Sequence, residues 1–213
     1  MIKLKTIKKG VIMTKFTEKD ALELLKKHSN DKKTFEAVLS HSKAVQKAAL
    51  KITDEVNKNL SSKTDDKIFV CDKEFIKAAC IIHDIGRFKC LPVSHGGTND
   101  GEKASLRHGI VGAEILKKEA WPVKFQRVCE THIGIGITKK DIEEKKLPLP
   151  AKDYIPETNE EKIIAYADNL CEHDNIKDEA WVVERYKTEL GKEYAKRVIA
   201  FHEEINDMIK RCK

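Results

Sequence analysis

No stretch of this chain stays apolar for long enough to cross a bilayer, and its basic opening, "MIKLKTIKKG", lacks the apolar segment of a secretory signal. A cytoplasmic protein is therefore expected. The six cysteines, at 71, 80, 90, 129, 171 and 212, include no C-x-x-C pair, which argues against a zinc ribbon or a thioredoxin-like motif. They read as reduced thiols, several of them packed as small hydrophobes on apolar faces. Aromatics are only 6% of the residues, and no arginine cluster is interleaved with them, so a base-stacking surface is not indicated. The net charge of +6 comes mostly from lysines spread beside glutamates, the pattern of a solvated mixed-charge surface. Internal repeats, low-complexity segments and a strand series are missing as well.

What is present recurs at a period of 3.6 residues. That period predicts helices over about 18–29, 31–60, 73–84, 103–119, 122–132 and 158–172, and two more between 178 and 211, interrupted near Gly191. Asp72 has the place of an N-cap, Gly86 that of a C-terminal stop, and Thr158 with Glu161 that of a capping box. Two irregular stretches stand between helices, 88–102 and the proline-punctuated 143–157. The expected organisation is a basic tail over 1–12 and one all-α domain over 13–213. Its core spans about 31–172, and Trp181, Val182, Tyr186 and Leu190 are expected to pack the C-terminal helices onto it, a second subunit being the alternative.

Polar residues interrupt the apolar faces in a pattern. His41 follows Val38 by three and precedes Val45 by four, so it shares their stripe. His108 shares a face with Ala104, Val111 and Ile115, and His132 with Phe125, Val128 and Cys129. Asp168 lies four after Ile164 and three before Cys171. In "IIHDIGRF", an apolar run ends on His83-Asp84. Taken singly, each histidine reads as a core imidazole with one hydrogen-bonded nitrogen. An unpaired buried carboxylate is costlier and needs a cation, donors or a metal. Four inward histidines and two inward aspartates on five predicted helices would need several separate compensating networks. One cluster around one or two divalent ions compensates them together, with carboxylates taking the charge and imidazoles acting as neutral ligands. Of the other histidines, His202 reads as core, and His28 and His173 as basic residues near helix C-termini. His95, in a loop beside Gly96-Gly97, is a candidate contact to substrate or metal.

The order His41, His83-Asp84, His108, His132, Asp168 resembles the HD-domain superfamily of metal-dependent phosphohydrolases, and His83-Asp84-Ile85-Gly86 is the HDIG signature of one branch. "HSKAV", "HGIVGAEIL", "THIGIGIT" and "LPLPAKDYIPET…EKIIAYADNL" extend the likeness to a small single-domain HDIG subfamily over about residues 14–172. The resemblance implies an all-α helical bundle around a metal site. It matches His41, His83, Asp84 and Asp168 to the ligands of one metal, and His108 and His132 to the extra ligands of dinuclear members, with Asp84 bridging. Two divalent ions (Mn, Fe, Co, Ni or Zn) and a small, nucleotide-like phosphorylated substrate are thereby expected, cleaved as a monoester or diester by a metal-activated water. Asp84 and Arg87 are the expected catalytic residues, and Arg87, His95, Lys139 and Lys140 the expected substrate contacts. The connection from Arg87 to His108 departs from the subfamily pattern, lengthened around "GTNDGEKASLR", which bears on the rim of the pocket. Two other readings share these residues: a di-iron oxygenase with the same ligand order, and a non-catalytic nucleotide- or RNA-binding module. Neither a membrane nor a partner protein is implicated.

Overall fold

The computed structural model describes residues 16–60, 70–90 and 105–210. The expected tail at 1–12, His95 and the lengthened stretch before Ser105 lie outside the described residues. The fold is all-α, as the periodicity predicts, apart from one short antiparallel ribbon.

Helix α1 (Glu18–His28) begins at Thr17, whose hydroxyl accepts from the Asp20 amide while Asp20 reaches back to the Thr17 backbone, a reciprocal cap. It lays Ala21, Leu24 and Leu25 against the third helix. Helix α2 (Lys32–Leu60) is the spine, with Val38, Val45, Ala49 and Val56 buried along one stripe. Helix α3 (Lys73–Ile82) starts at Asp72, which accepts from the Phe75 amide, as predicted. It is buried nearly all round, as its sequence "KEFIKAACII" requires.

The end of α3 differs from expectation. Gly86 has no left-handed conformation and stops nothing; residues 83–86 make a turn that leads into a short helix, α4 (Arg87–Cys90). The glycine is needed for a different reason. A Cβ at position 86 would lie 1.9 Å from the His108 carbonyl oxygen and 2.6 Å from the Gly112 nitrogen. Backbone therefore rides on backbone where the 83–86 turn crosses α5 (His108–Lys118).

Helix α5 packs closely on α6 (Val123–Thr131). Helix α7 (Lys139–Lys145), capped reciprocally by Thr138 and Asp141, runs into the stretch expected to be irregular. Helix α8 (Asn159–Asn169) crosses α2, and Thr158 caps it through the Glu161 amide. The carboxylate of Glu161 does not return to Thr158, so only half of the predicted box forms. It turns to the Glu157 amide and to Arg127 instead. Strands β1 (Cys171–Glu172) and β2 (Asn175–Ile176) then pair in a hairpin that the sequence did not announce. His173, expected near a helix C-terminus, sits in its turn at φ 58°, just past the end of α8. Helices α9 (Glu179–Glu189) and α10 (Lys192–Lys210) meet at Gly191, φ +95°, and pack on each other; α10 also lies against α2 and α8. His202 is buried, as predicted. Among the described residues, no helix is long and apolar enough to cross a membrane.

One ion pair ties α6 to α8. Arg127 grips Glu161 with two prongs, at 2.7 and 2.9 Å. Burial would raise the Glu161 carboxyl, but the Arg127 bonds and the Glu157 amide outweigh it and hold the group below its ordinary value. Arg127→Ala is expected to cost about 2 kcal/mol at neutral pH, at the low end for a buried pair because the guanidinium is one-third exposed. A depressed carboxylate contributes stability that is present above its unfolded-state pKa and lost as pH falls through the folded value. The gap between variant and wild type should therefore close below about pH 4, as denaturant titrations at neutral and acid pH would show.

Candidate metal centre

Five segments deliver the six predicted ligands to one point. His41 comes from the middle of α2, His83 and Asp84 from the turn after α3, His108 from the start of α5, His132 from the C-cap of α6, and Asp168 from the last turn of α8. Helix ends place four of the six, because a side chain leaving a terminus can point along the axis into the space between helices. His83, Asp84, His108 and His132 are buried; His41 and Asp168 stand at the edge of a cavity.

All four imidazoles are turned the same way. Their Nδ1 atoms contact backbone carbonyls: His41 that of His173 at 2.6 Å, His83 that of Cys80 at 2.7 Å, His108 that of Ser105 at 2.6 Å, and His132 that of Cys129 at 2.9 Å. A carbonyl only accepts, so each Nδ1 carries the proton and each Nε2 is left to point inward. The unexpected hairpin is part of this arrangement, since its turn supplies the carbonyl that orients His41.

The inward atoms divide around Asp84. Its Oδ2 lies 3.7 Å from the Nε2 atoms of both His41 and His83. Asp168 Oδ1 closes that half, 2.8 Å from His41 Nε2 and 3.5 Å from His83 Nε2. On the other side, Asp84 Oδ1 lies 3.1 Å from His108 Nε2 and 3.4 Å from His132 Nε2. Ligands about 2.1 Å from one ion stand roughly 3.0–3.4 Å apart, so these separations approximate edges of a coordination shell. Two features favour a cation further. His83 Nε2 and Asp84 Oδ1 are buried without a hydrogen-bond partner. His108 and His132 bring their Nε2 atoms within 3.0 Å, which suits a shared proton or cation and not two bare lone pairs.

Charge at the site points the same way. Burial would raise the Asp84 carboxyl, yet Arg87, with its Nε 2.5 Å from Oδ2, and the surrounding imidazoles hold it well below the carboxylate range. Asp168 is likewise depressed, burial being outweighed by His41 and His83. Burial disfavours a charged His41, but Asp168, Asp84 and the His173 carbonyl push it up to about 9. Both acids are thus anionic, and carboxylates with imidazoles are ligand types that suit a divalent metal, which would take the place of the His41 proton.

Above the centre opens a cavity of about 1090 Å³, bordered by His41, Asp84, Asp168 and Arg87. Lys139 and Lys140 are not part of its lining. They lie on the exposed side of α7, opposite Glu143 and Glu144 at 3.7 Å each. Besides Arg87, the cations that line the cavity are Lys145 and Arg185, with Asn169, Tyr186 and Tyr194 beside them. The Thr138-x-x-Asp141 cap was a sequence signal for α7 and hence for the facing of its lysines. Arg185 carried no signal in one dimension.

An all-α domain that gathers four imidazoles and two carboxylates beneath an open cavity has a centre suited to divalent metal. The chain belongs to the HD domain family, which matches residues 38–173. It is 34% identical over 194 residues to the tRNA (cytidine(56)-2'-O)-methyltransferase of Picrophilus torridus, an alignment covering 91% of this chain and 48% of that one. The chain thus spans about half of that relative's length. An uncharacterized protein of Methanocaldococcus jannaschii is 35% identical over 177 residues, 82% of this chain and 91% of that one. Among solved structures, the HD domain of the L. monocytogenes phosphodiesterase PgpH aligns over 90% of this chain and 96% of its own, with 16% identity and a TM-score of 0.48.

Proposed function

We propose that this chain is a metal-dependent phosphohydrolase that cleaves a phosphate ester of a nucleotide or related metabolite, at two divalent ions held by His41, His83, Asp84, His108, His132 and Asp168. The observation that carries the reading is the division of Asp84, one oxygen facing His41 and His83 and the other facing His108 and His132. Such ions supply a deprotonated water near neutral pH and neutralise phosphoryl oxygens. Asp84 is the shared support, fixed and kept ionised by Arg87. Asp168 closes the half of the cluster that holds His41 and His83. Arg87 uses its Nε on Asp84, and its outer nitrogens, at the cavity surface, are assigned to a phosphoryl oxygen through a charge-assisted hydrogen bond. The methyl transfer in the name of the Picrophilus relative belongs to a protein of twice this length, and a cluster of inward imidazoles and carboxylates is no methyl-donor site.

The reading is tested by a turnover screen. Protein prepared without oxygen is loaded in turn with Mn, Co, Ni and Fe and offered nucleoside monophosphates, cyclic nucleotides, dinucleotides and an aryl phosphate. Phosphate or nucleoside release that the Asp84→Ala protein does not show supports it. Silence with metal bound contradicts it, and oxygen consumption by the iron-loaded protein would favour the oxygenase instead. His132→Ala is expected to lower bound metal from two ions to one per chain and to slow turnover by more than about 10²-fold. Elemental analysis after dialysis checks the count, and loss of both ions, or of neither, counts against a dinuclear centre.

A further inference from the structure

The cavity over the metal centre has a wall that lies beyond the HD domain match at 38–173, built by α9 and the start of α10. Arg185 stands on that wall. Its half-buried guanidinium lies 4.7 Å from the Trp181 ring centroid and 5.4 Å from that of Tyr186. Its one hydrogen bond among the described residues is long, 3.4 Å from Nη2 to Asn169 Oδ1. Among the described residues it forms no ion pair. A guanidinium held against aromatic faces, partly dried and with most donors unused, is set up to receive an anion.

Its placement is fixed from the metal side. The Tyr186 hydroxyl donates to Asn169 Oδ1 at 2.6 Å, and Asn169 Nδ2 donates to the carbonyls of Gly134 at 2.6 Å and Ala165 at 2.9 Å. Gly134 has φ +61°, and a Cβ there would lie 2.6 Å from the Tyr186 hydroxyl. Helix α9 is thereby pinned to Asn169, the residue after Asp168, and to Gly134, two residues after His132. Lys145, over the Tyr194 ring at 3.7 Å and without an ion pair among the described residues, brings a second cation to the same cavity.

We propose that Arg185, seconded by Lys145, forms a distal anion subsite that takes a second phosphoryl group of the substrate while the scissile one lies at the metal centre. The preferred substrates are then small bisphosphorylated molecules. The inference rests on the hydrolytic reading for the scissile end alone. A volume of about 1090 Å³ is at the upper limit of small-molecule pockets, more than the ester of a simple alcohol fills. Two cations match the charge of a phosphoryl dianion better than that of a single carboxylate.

The test is calorimetric binding of adenosine 3′,5′-bisphosphate, adenosine 5′-monophosphate and a single-stranded RNA hexanucleotide to metal-loaded protein, with aryl phosphate turnover run in parallel. The wild type should prefer the bisphosphate over the monophosphate. Arg185→Ala and the stem-preserving Arg185→Gln should both weaken bisphosphate binding by about 10–100-fold and leave the monophosphate within about twofold. Arg185→Lys should restore part of the loss. Equal loss for the two nucleotides, no loss, or no preference in the wild type would overturn the subsite. So would tighter binding of the RNA with the same dependence on Arg185, which would make the anion a nucleic-acid backbone. Failure of the hydrolytic reading would look different: no aryl phosphate turnover, with the Arg185-dependent preference still present in the binding data.

Discussion

Asp84→Ala is expected to abolish phosphate release, with turnover falling by more than about 10³-fold, and to leave the chain without stably bound metal while its helical circular dichroism persists. The size of the effect follows from position. Each of the other five inward residues serves one half of the cluster, whereas Asp84 presents one oxygen to each half. Removing it also strips Arg87 of its one direct ion pair among the described residues. The fold should survive because the helices around the site carry their own apolar packing: Ile81, Ile82 and Ile85 beside it are fully buried. Asp84→Asn keeps the volume and one acceptor but loses the charge, and should lose metal almost as completely. A variant of either kind that held full metal content would show that the ions, if present, lie elsewhere.

Gly86→Ala is expected to do the most damage to stability, about 3 kcal/mol or more, and to disturb the site with it. The added methyl would meet the His108 carbonyl oxygen at 1.9 Å and the Gly112 nitrogen at 2.6 Å. Neither is the tip of a flexible side chain, so relief requires the 83–86 turn and α5 to separate. That separation would pull Asp84 and His108, now 3.1 Å apart, away from each other. Denaturant midpoints, with metal content measured alongside, read both consequences. A loss under about 1 kcal/mol with metal retained would mean that the two backbones are not in contact as described.

Helix content and the inward facing of the clustered histidines and aspartates were legible in the sequence because both are local and periodic. Val38, His41 and Val45 share one face of α2 whatever lies opposite, so an inward histidine could be recognised without knowing its partners. Asp72 and Thr158 cap helices by contacts three residues away, within reach of a linear reading. Gly86 was misread because a helix-stop glycine and a close-contact glycine look the same until α5 is laid across it. The hairpin was invisible because two residues per strand carry no alternation, and yet its turn orients His41. The lining of the cavity was the least legible. Lys139 and Lys140 differ from Lys145 only in which side of a short helix they occupy, and Arg185 reaches the cavity through the packing of a helix far along the chain.

The most direct test of the proposed dinuclear centre is an anomalous-difference map from a crystal loaded with manganese and measured near its absorption edge. Two peaks are expected, one between Asp84 Oδ2, Asp168 and the Nε2 atoms of His41 and His83, the other between Asp84 Oδ1 and the Nε2 atoms of His108 and His132. No peak between these side chains, or a single peak confined to one side of Asp84, would contradict it.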